Sequence, residues 1–161
     1  MTLVLVRVDD RLIHGQVSVG WAQALQPDRI ILANDVVAGN PSLRGLYTMA
    51  IPAESSASLL TLSEAAEMLT DGAFAGDKAI LVVESPGEVL TLREKGVEIH
   101  SVNVGGLHHT DGKRCLLPYV FVSEDDVKAF RKMLTMGMEV ECRDVPSARK
   151  IYMQDLLERN R

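Results

Sequence analysis

The chain has 161 residues, of which 47% are hydrophobic and 24% are charged. This length and composition predict one compact domain over 1–161 with a buried core, and they exclude collagen-like, coiled-coil and disordered chains. The net charge of −5 argues against binding of nucleic acid through a broad basic surface, so an anion site would have to be local.

The chain also lacks signals for membrane insertion and for disulfide or zinc chemistry. No stretch approaches the roughly 20 apolar residues of a membrane span, and the apolar run at 1–6 meets charge at Arg7 too soon for a signal peptide. Cys115 and Cys142 stand in unrelated contexts without a CxxC motif, which predicts buried free thiols. We therefore expect a soluble cytoplasmic protein.

The hydrophobic pattern predicts strands that alternate with helices. Short apolar runs, typical of parallel strands buried on both faces, predict strands at 3–8, 29–33, 57–62, 78–83, 97–102, 119–122 and 138–143. Helical spacing and capping signals predict helices at about 13–25, 41–49, 63–69 with Ser63 as N-cap, 85–95 and 123–135, and a further helix after Ser147. A loop is expected at 103–113.

This alternation predicts an α/β fold, a doubly wound, mostly parallel open sheet with helices on both faces, in a single domain. In such sheets ligands bind where loops leave the carboxyl ends of the strands. The segments that follow predicted strands in this way are 9–15, 34–41, 85–87 and 103–113.

The segment from Arg7 to Val17 is the richest in side chains that can do chemistry. Within eight residues it holds two guanidinium groups, two carboxylates and an imidazole: Arg7, Asp9, Asp10, Arg11 and His14. His14 lies at or just before a predicted helix N-terminus, where free N–H groups and the helix dipole favour an anion, and Gly15 permits close backbone approach. A phosphate could bind there, with Arg11 as a planar donor.

The two aspartates of this segment allow two interpretations. Asp9 or Asp10 could hold an arginine or fix the tautomer of His14, so that the other ring nitrogen is a nucleophile near neutral pH. Alternatively, both aspartates cap the helix, Arg7 and Arg11 pair with them at the surface, and the imidazole bonds a carbonyl. The spacing alone leaves both interpretations open.

The same segment resembles the signature of enzyme IIB components of the bacterial phosphoenolpyruvate-dependent sugar phosphotransferase system, in the mannose, fructose and sorbose family. The resemblance is carried by the run RVDDRLIHGQV at 7–17 and by Trp21, and it continues to about residue 146 through 34–35, 50–52, 103–106 and 145–146. It implies that His14 accepts a phosphoryl group from a histidine of a IIA component, in this family at Nδ1. The group would then pass to a sugar held by a membrane-embedded IIC/IID pair.

The resemblance, together with the chemistry of phosphoryl transfer, defines a candidate site. The catalytic residues would be His14, Arg11, Asp9 and Asp10, and the phosphate-binding residues would be Arg7, Gly15, Gly105 and Gly106. The turn at 103–106 is expected to approach the His14 loop, where its backbone N–H groups could help to hold phosphate. No metal or cofactor is expected, because such a transfer needs mainly in-line positioning and charge neutralisation.

Adjacent histidines in the predicted 103–113 loop raise one other site. His108 and His109 could suggest a metal ion, but neighbouring side chains point apart and no third ligand has suitable spacing. We therefore favour ordinary loop contacts, or a position of this loop beside His14.

The expected partners are a IIA phosphocarrier, the IIC/IID sugar permease and the sugar itself, and a homodimer is an alternative to a monomer. The protein would be cytoplasmic and transiently at the inner face of the plasma membrane. Two other functions compete with this one. The chain could be a stand-alone regulatory or sensor module that keeps the fold without onward transfer to sugar, or an unrelated flavodoxin-like binder of a small anion.

Overall fold

The computed structural model describes residues 1–160. Within them the strands are β1 (Thr2–Asp9), β2 (Arg29–Ala33), β3 (Ser56–Leu60), β4 (Lys78–Val83), β5 (Ser101–Gly106), β6 (Arg114–Leu117), β7 (Val120–Val122), β8 (Glu139–Cys142) and β9 (Ile151–Tyr152). A π-helical segment (Gln16–Trp21) runs directly into α1 (Ala22–Leu25), and it is followed by α2 (Asp35–Ala38), α3 (Pro41–Ala50), α4 (Leu62–Thr70), α5 (Pro86–Glu94), α6 (Glu124–Thr135) and α7 (Met153–Arg159).

Seven of these strands form one sheet in the order β3-β2-β4-β1-β5-β8-β9. All of its strand pairs are parallel except the pair of β8 with β9 at one edge. After β1 the chain continues to β2, on the β3 side of the sheet, whereas after β5 it continues to β8, on the β9 side. The topological switch point therefore lies between the adjacent strands β1 and β5. Ligands of doubly wound sheets bind at such a point.

Helices cover both faces of the sheet, which confirms the predicted α/β architecture. Alternate residues of the central strands point to opposite sides, as in Ile30 and Ile31 of β2, and each side packs into its own apolar cluster. One cluster contains Phe130 of α6 and Leu92 of α5, and the other contains Trp21. Each fully buried side chain of this kind contributes about 1.5–3 kcal/mol to folding.

Several predicted boundaries are wrong. The strand predicted at 97–102 instead runs over Ser101–Gly106, because β1 and β8 pair with this segment on both sides. The N-cap of α4 is Thr61 and not Ser63: Thr61 accepts a hydrogen bond from the N–H of Glu64 (3.1 Å), and the Glu64 carboxylate accepts one from the N–H of Thr61 (2.8 Å).

Short elements escaped prediction altogether. The helix α2 and the strands β6 and β9 have four, four and two residues, too few for a periodic pattern. The last helix begins at Met153, beyond the residue expected. Of the two free cysteines, Cys142 is buried as predicted but Cys115 is exposed. In the part of the chain that the structure describes, no helix combines the length and the apolar character that a bilayer crossing demands.

Candidate functional site

The loop that follows β1 turns back, so that His14 lies beside Asp9, the last residue of the strand. Leu12 is the residue that makes this turn: its φ is +63°, and its N–H donates to the carbonyl oxygen of Asp9 at 3.0 Å. A left-handed conformation is unfavourable for a leucine, but burial of its side chain, 6% exposed, offsets that cost. The helix then begins just after His14.

His14 forms a short polar contact with Asp9. The Nε2 atom of the imidazole lies 2.8 Å from Oδ2 of Asp9. Burial alone would raise the pKa of this carboxyl, but the hydrogen bond from His14, the charge of Arg7 and the hydrogen bonds from Arg11 together lower it. An ionised carboxylate can only accept hydrogen bonds, so Nε2 carries the ring proton of neutral His14 and the lone pair lies on Nδ1.

Arg7 lies beneath Asp9 and is fully buried. Its guanidinium donates to Asp9 Oδ2 (3.0 Å), to Asn103 Oδ1 (2.8 Å), to Gln16 Oε1 (3.0 Å) and to the carbonyl oxygens of Arg143 and Asp144. Burial lowers the pKa of Arg7, an effect that the carboxylate of Asp9 opposes. With its N–H groups engaged by protein acceptors, Arg7 does not fit the direct phosphate contact that we expected from the sequence.

Arg11 holds the other side of the same carboxylate and is much more accessible. Its Nε lies 3.2 Å from Asp9 Oδ1, and its side chain is 46% exposed. Its Nη2 donates to Gln16 Oε1 at 2.9 Å, so one glutamine side chain joins both arginines. Arg11 therefore lies where it can contact both Asp9 and a molecule arriving from solvent.

Gly105 and Gly106 make room for these guanidinium groups. A Cβ atom on Gly105 would overlap with the guanidinium of Arg7, and one on Gly106 would lie 2.9 Å from Nη2 of Arg11. The sequence-based expectation that the 103–106 segment approaches the His14 loop is therefore correct in position. The closeness of the two arginines is a sufficient reason for both glycines.

Asp10 turns away from the imidazole of His14. Its Oδ2 accepts a hydrogen bond from the backbone N–H of His108 (2.8 Å) and contacts Nδ1 of the same residue, while its own N–H donates to the carbonyl of Gly106 (3.0 Å). Asp10 thus ties the β1 loop to the segment that follows β5. This placement differs from the catalytic role beside His14 that we predicted.

The start of the helix supplies the remaining polar groups of the site. The carbonyl of His14 accepts hydrogen bonds from the N–H groups of Val17 and Ser18, so Gly15 and Gln16 form the first turn, in which Gly15 is exposed and Gln16 is partly buried. No protein atom lies within 4 Å of the position that a Cβ of Gly15 would take. Among residues 1–160, no group of three or more His, Cys, Asp or Glu side chains is arranged to hold a metal ion.

Sequence reasoning missed Gln16, Asn103 and Glu141 as members of the polar cluster. Gln16 and Asn103 stood inside segments that carried the family resemblance, but neither is titratable. Glu141 is 4% exposed, and its signal was a charged residue at an inward position of the predicted strand 138–143. Buried charges are normally paired, so this residue pointed to a partner inside the fold.

The chain is similar over nearly its whole length to known phosphotransferase components. The family model described as "PTS system sorbose subfamily IIB component" matches residues 3–161. The fructose-specific EIIB component of Bacillus subtilis (strain 168) is 35% identical over 147 residues, which cover 91% of this chain and 90% of the relative. The mannose-specific EIIAB component of Escherichia coli (strain K12) is 36% identical over 159 residues, 99% of this chain.

The match with the mannose-specific relative covers 49% of that protein, so this chain spans about half of its length. Among solved structures, the IIBSor domain of the sorbose permease from Klebsiella pneumoniae has a TM-score of 0.95 at 30% identity and covers 100% of this chain and 99% of that one. Family match, sequence identity and fold agree. The chain belongs to the sorbose subfamily of PTS system IIB components.

Proposed function

We propose that the chain is a phosphocarrier, in which His14 accepts a phosphoryl group at Nδ1 from a phosphohistidine of a IIA protein and transfers it to a sugar. The observation that carries this proposal is the 2.8 Å contact of Nε2 with Asp9, because it leaves the lone pair of the ring on Nδ1. The His14 side chain is 22% exposed, so a partner's histidine can approach it.

The two transfers balance without a further cofactor. In the first, the P–N bond on IIA breaks as the lone pair of Nδ1 of His14 forms a new P–N bond. In the second, that bond breaks as a hydroxyl oxygen of the sugar bonds to phosphorus, and the hydroxyl proton is released. In-line positioning and charge neutralisation dominate reactions of this class.

Asp9 stabilises the ring during both steps. After phosphorylation at Nδ1 with the proton still on Nε2, the imidazole carries a positive charge, and the carboxylate of Asp9 lies beside that charge. Arg7 holds the carboxylate from below through a 3.0 Å ion pair. Asp9 would therefore act as an orienting and electrostatic group, as the aspartate of a Ser-His-Asp triad does.

Arg11 is the side chain best suited to the phosphoryl oxygens. Arg7, Arg11 and Asp9 together carry a net positive charge beside His14 before the phosphoryl group arrives, and Arg11 is the exposed one of the two arginines. The first turn of the helix at Gly15 and Gln16 adds N–H groups that favour an anion. An exposed arginine side chain and a few backbone N–H groups suit a phosphoryl group that must also be released better than a closed cage would.

Membership of the family supports a proposal for the donor, the acceptor and the location. Relatives are named for fructose, sorbose and mannose, and the mannose-specific relative is named EIIAB, so we propose a sugar of this class as acceptor and a IIA protein as donor. A membrane IIC/IID pair would hold the sugar, and this chain would act in the cytoplasm and transiently at the inner face of the plasma membrane. A homodimer stays a prediction, which a measurement of molecular mass in solution would decide.

The test is direct phosphorylation. Incubation with labelled phosphoenolpyruvate, the two general phosphotransferase proteins and a IIA partner should give an acid-labile, alkali-stable phosphoprotein, and His14→Ala should abolish the label. The matched control is His100→Ala, which removes an exposed imidazole. His100 directly precedes β5 and so lies at the amino-terminal end of that strand, whereas the site lies at the carboxyl ends of the strands. Labelling that survives His14→Ala would contradict the proposal.

Onward transfer separates a carrier from a sensor. Membranes that contain the IIC/IID pair should discharge the phosphoprotein when sugar is added and should leave it charged when sugar is omitted. Retention of the phosphoryl group in the presence of sugar would favour a regulatory module instead.

A further inference from the structure

Two buried polar side chains, Asn103 and Glu141, extend the cluster of His14 into the sheet. They are 2% and 4% exposed. Arg7 of β1 pairs in register with Asn103 of β5, and Asn103 pairs in register with Glu141 of β8. Three polar residues therefore form a row across three adjacent strands, directly below Asp9.

Hydrogen bonds run along this row in one direction. Asn103 Nδ2 donates to Glu141 Oε1 (3.1 Å) and to the carbonyl oxygen of Arg143 (3.2 Å), while Asn103 Oδ1 accepts from Arg7 Nη1 (2.8 Å). A carboxylate only accepts hydrogen bonds and a guanidinium only donates them. Glu141 on one side and Arg7 on the other therefore fix which way the Asn103 amide faces.

The same pairing of donors with acceptors continues from Arg7 to the reactive nitrogen of His14. Arg7 donates to Asp9, Asp9 accepts from Nε2 of His14, and the lone pair is left on Nδ1. If the Asn103 amide were reversed, its NH2 group would face the N–H groups of Arg7, and both would lose a partner in a buried place. Leaving a buried donor unpaired is costly, so the guanidinium would have to move, and the carboxylate it holds would move with it.

Glu141 is itself held in place. Arg143 Nε and Nη2 donate to its two carboxylate oxygens at 3.1 and 3.0 Å, and the guanidinium of Arg143 lies over the ring of Trp21, 5.0 Å from its centroid. Trp21 in turn donates from Nε1 to the carbonyl of Asp144 at 3.0 Å, a carbonyl that also accepts from Arg7. Glu141 is thus linked back to Arg7 through Arg143, Trp21 and the carbonyl of Asp144.

We infer that Asn103 and Glu141 are positioning residues for His14: they hold the guanidinium of Arg7 in place, Arg7 holds the carboxylate of Asp9 opposite Nε2, and the lone pair of the imidazole is thereby kept on Nδ1. The effect on phosphoryl transfer rests on the proposed function. The effect on the tautomer does not, because it concerns the unphosphorylated protein.

The test uses Glu141→Gln, which keeps the size of the side chain, and Asn103→Leu, which removes both the acceptor and the donors. The matched control is Glu139→Gln, which neutralises a half-exposed carboxylate on the same strand that pairs with Lys150. Nitrogen-15 shifts of the His14 ring report the tautomer in unphosphorylated protein. Rapid-quench measurement with phosphorylated IIA gives the transfer rate and KM.

We expect the control and the wild type to show a pure Nε2–H tautomer. In Glu141→Gln and Asn103→Leu the Nδ1–H form should become detectable. Transfer should slow several-fold in Glu141→Gln and by about tenfold or more in Asn103→Leu, as for a misplaced reacting group. KM should be unchanged, because both side chains are buried and touch no partner.

Wild-type shifts and a wild-type rate in folded Glu141→Gln would overturn the inference. A lower melting temperature with unchanged shifts and rate would overturn it equally, because the two side chains would then only stabilise the fold. If Asn103→Leu does not fold, Glu141→Gln decides alone. Failure of the wild type to accept phosphate would contradict the proposed function, while the tautomer measurement would still test the inference.

Discussion

Oδ2 of Asp9 lies 2.8 Å from Nε2 of His14 and 3.0 Å from Nη2 of Arg7, so one carboxylate oxygen joins a partly exposed imidazole to a fully buried guanidinium. The other oxygen accepts from the backbone N–H and Nε of Arg11. All of these partners donate, and this makes Asp9 the residue on which the geometry of the site depends.

Asp9→Asn should abolish most of the transfer activity while keeping the shape of the side chain. An amide in this position would turn an NH2 group toward at least one donor, and it would favour the wrong tautomer of His14. We expect the rate of phosphorylation by IIA to fall by about 100-fold or more, as in enzymes whose orienting aspartate is replaced by asparagine. Rapid-quench kinetics would measure the change.

The control for this variant is Asp111→Asn, in the exposed loop before β6, which should transfer at the wild-type rate. Asp9→Asn with near wild-type kinetics would mean that the carboxylate does not select the tautomer.

Asp9 should also make stability depend on pH in acid. Its pKa in the folded protein is lowered, below the value of about 3.9 in an unfolded chain. The stability that it contributes is present above the unfolded value and is lost as the pH falls through the folded value. Urea unfolding should therefore show the largest difference between wild type and Asp9→Asn near neutral pH, and a shrinking difference below about pH 4.

The opposite trend would contradict this assignment of charge. If the difference between the two proteins grew as the pH fell, Asp9 would be protonated in the folded state at neutral pH.

Alanine substitutions at three glycines should separate packing from the phosphate site. At Gly105 the new methyl group would overlap with the buried guanidinium of Arg7, so we expect a loss of about 1–3 kcal/mol or more in unfolding free energy, as for overpacked cores. Gly106→Ala meets the movable end of Arg11 and should cost less. Gly15→Ala meets no protein atom and should leave stability nearly unchanged.

Transfer rates give the second half of this comparison. If the first helical turn binds the phosphoryl group closely, Gly15→Ala should slow phosphorylation although it does not destabilise the fold. Equal stability of the three variants would contradict the packing described for Arg7.

Much of this arrangement could be predicted from the sequence. The strand and helix periodicities predicted the sheet, and the density of charge at 7–14 indicated which segment carries the candidate site. The roles of Arg7 and Asp10 could not be predicted, because the direction of a side chain at the end of a strand depends on its neighbours. Arg7 becomes a buried support only because β5 offers Gly105 and Asn103 beside it.

Long-range register explains the error at 103–106. The pairing of Asn103 with Glu141 joins residues 38 positions apart, and nothing local in either segment indicates it. The glycines of 103–106 are typical of loops, yet the segment is a strand because β1 and β8 pair with it on both sides. Tertiary contacts outweighed local propensity here.

The two cysteines should differ in reactivity. Burial raises the pKa of the Cys142 thiol to about 12, and the neighbouring carboxylate of Glu141 adds to this rise, whereas Cys115 is exposed. Since the thiolate is the reactive form, a thiol reagent such as Ellman's reagent should titrate one cysteine in the native protein and two after unfolding in guanidinium chloride. Cys115→Ser should abolish the native reaction, and two rapid equivalents in the native wild type would contradict the burial of Cys142.

Replacement of each arginine by methionine should separate support from phosphate binding. Arg7→Met removes the only fully buried cation that pairs with the carboxylate of Asp9 and leaves Oδ1 of Asn103 and two backbone carbonyls without this donor, so we expect a loss of about 3–5 kcal/mol in unfolding free energy. Arg11→Met removes an ion pair whose arginine is half-exposed, and the carboxylate of Asp9 keeps Arg7, His14 and the backbone N–H of residue 11 as donors, so it should cost clearly less stability than Arg7→Met. Both variants should transfer phosphate poorly, but only Arg7→Met should also lower the melting temperature substantially.

The rate measurements then assign the roles. Because Arg11 is the arginine that solvent reaches, Arg11→Lys should recover part of the rate by restoring a positive charge, although it lacks the planar pair of donors that suits phosphoryl oxygens. Arg7→Lys should recover little, since one ammonium group cannot reach acceptors on β1, β5 and the loop after β8 together. Recovery by lysine at Arg7 but not at Arg11 would reverse the two assignments and would put Arg7 in contact with the phosphoryl group.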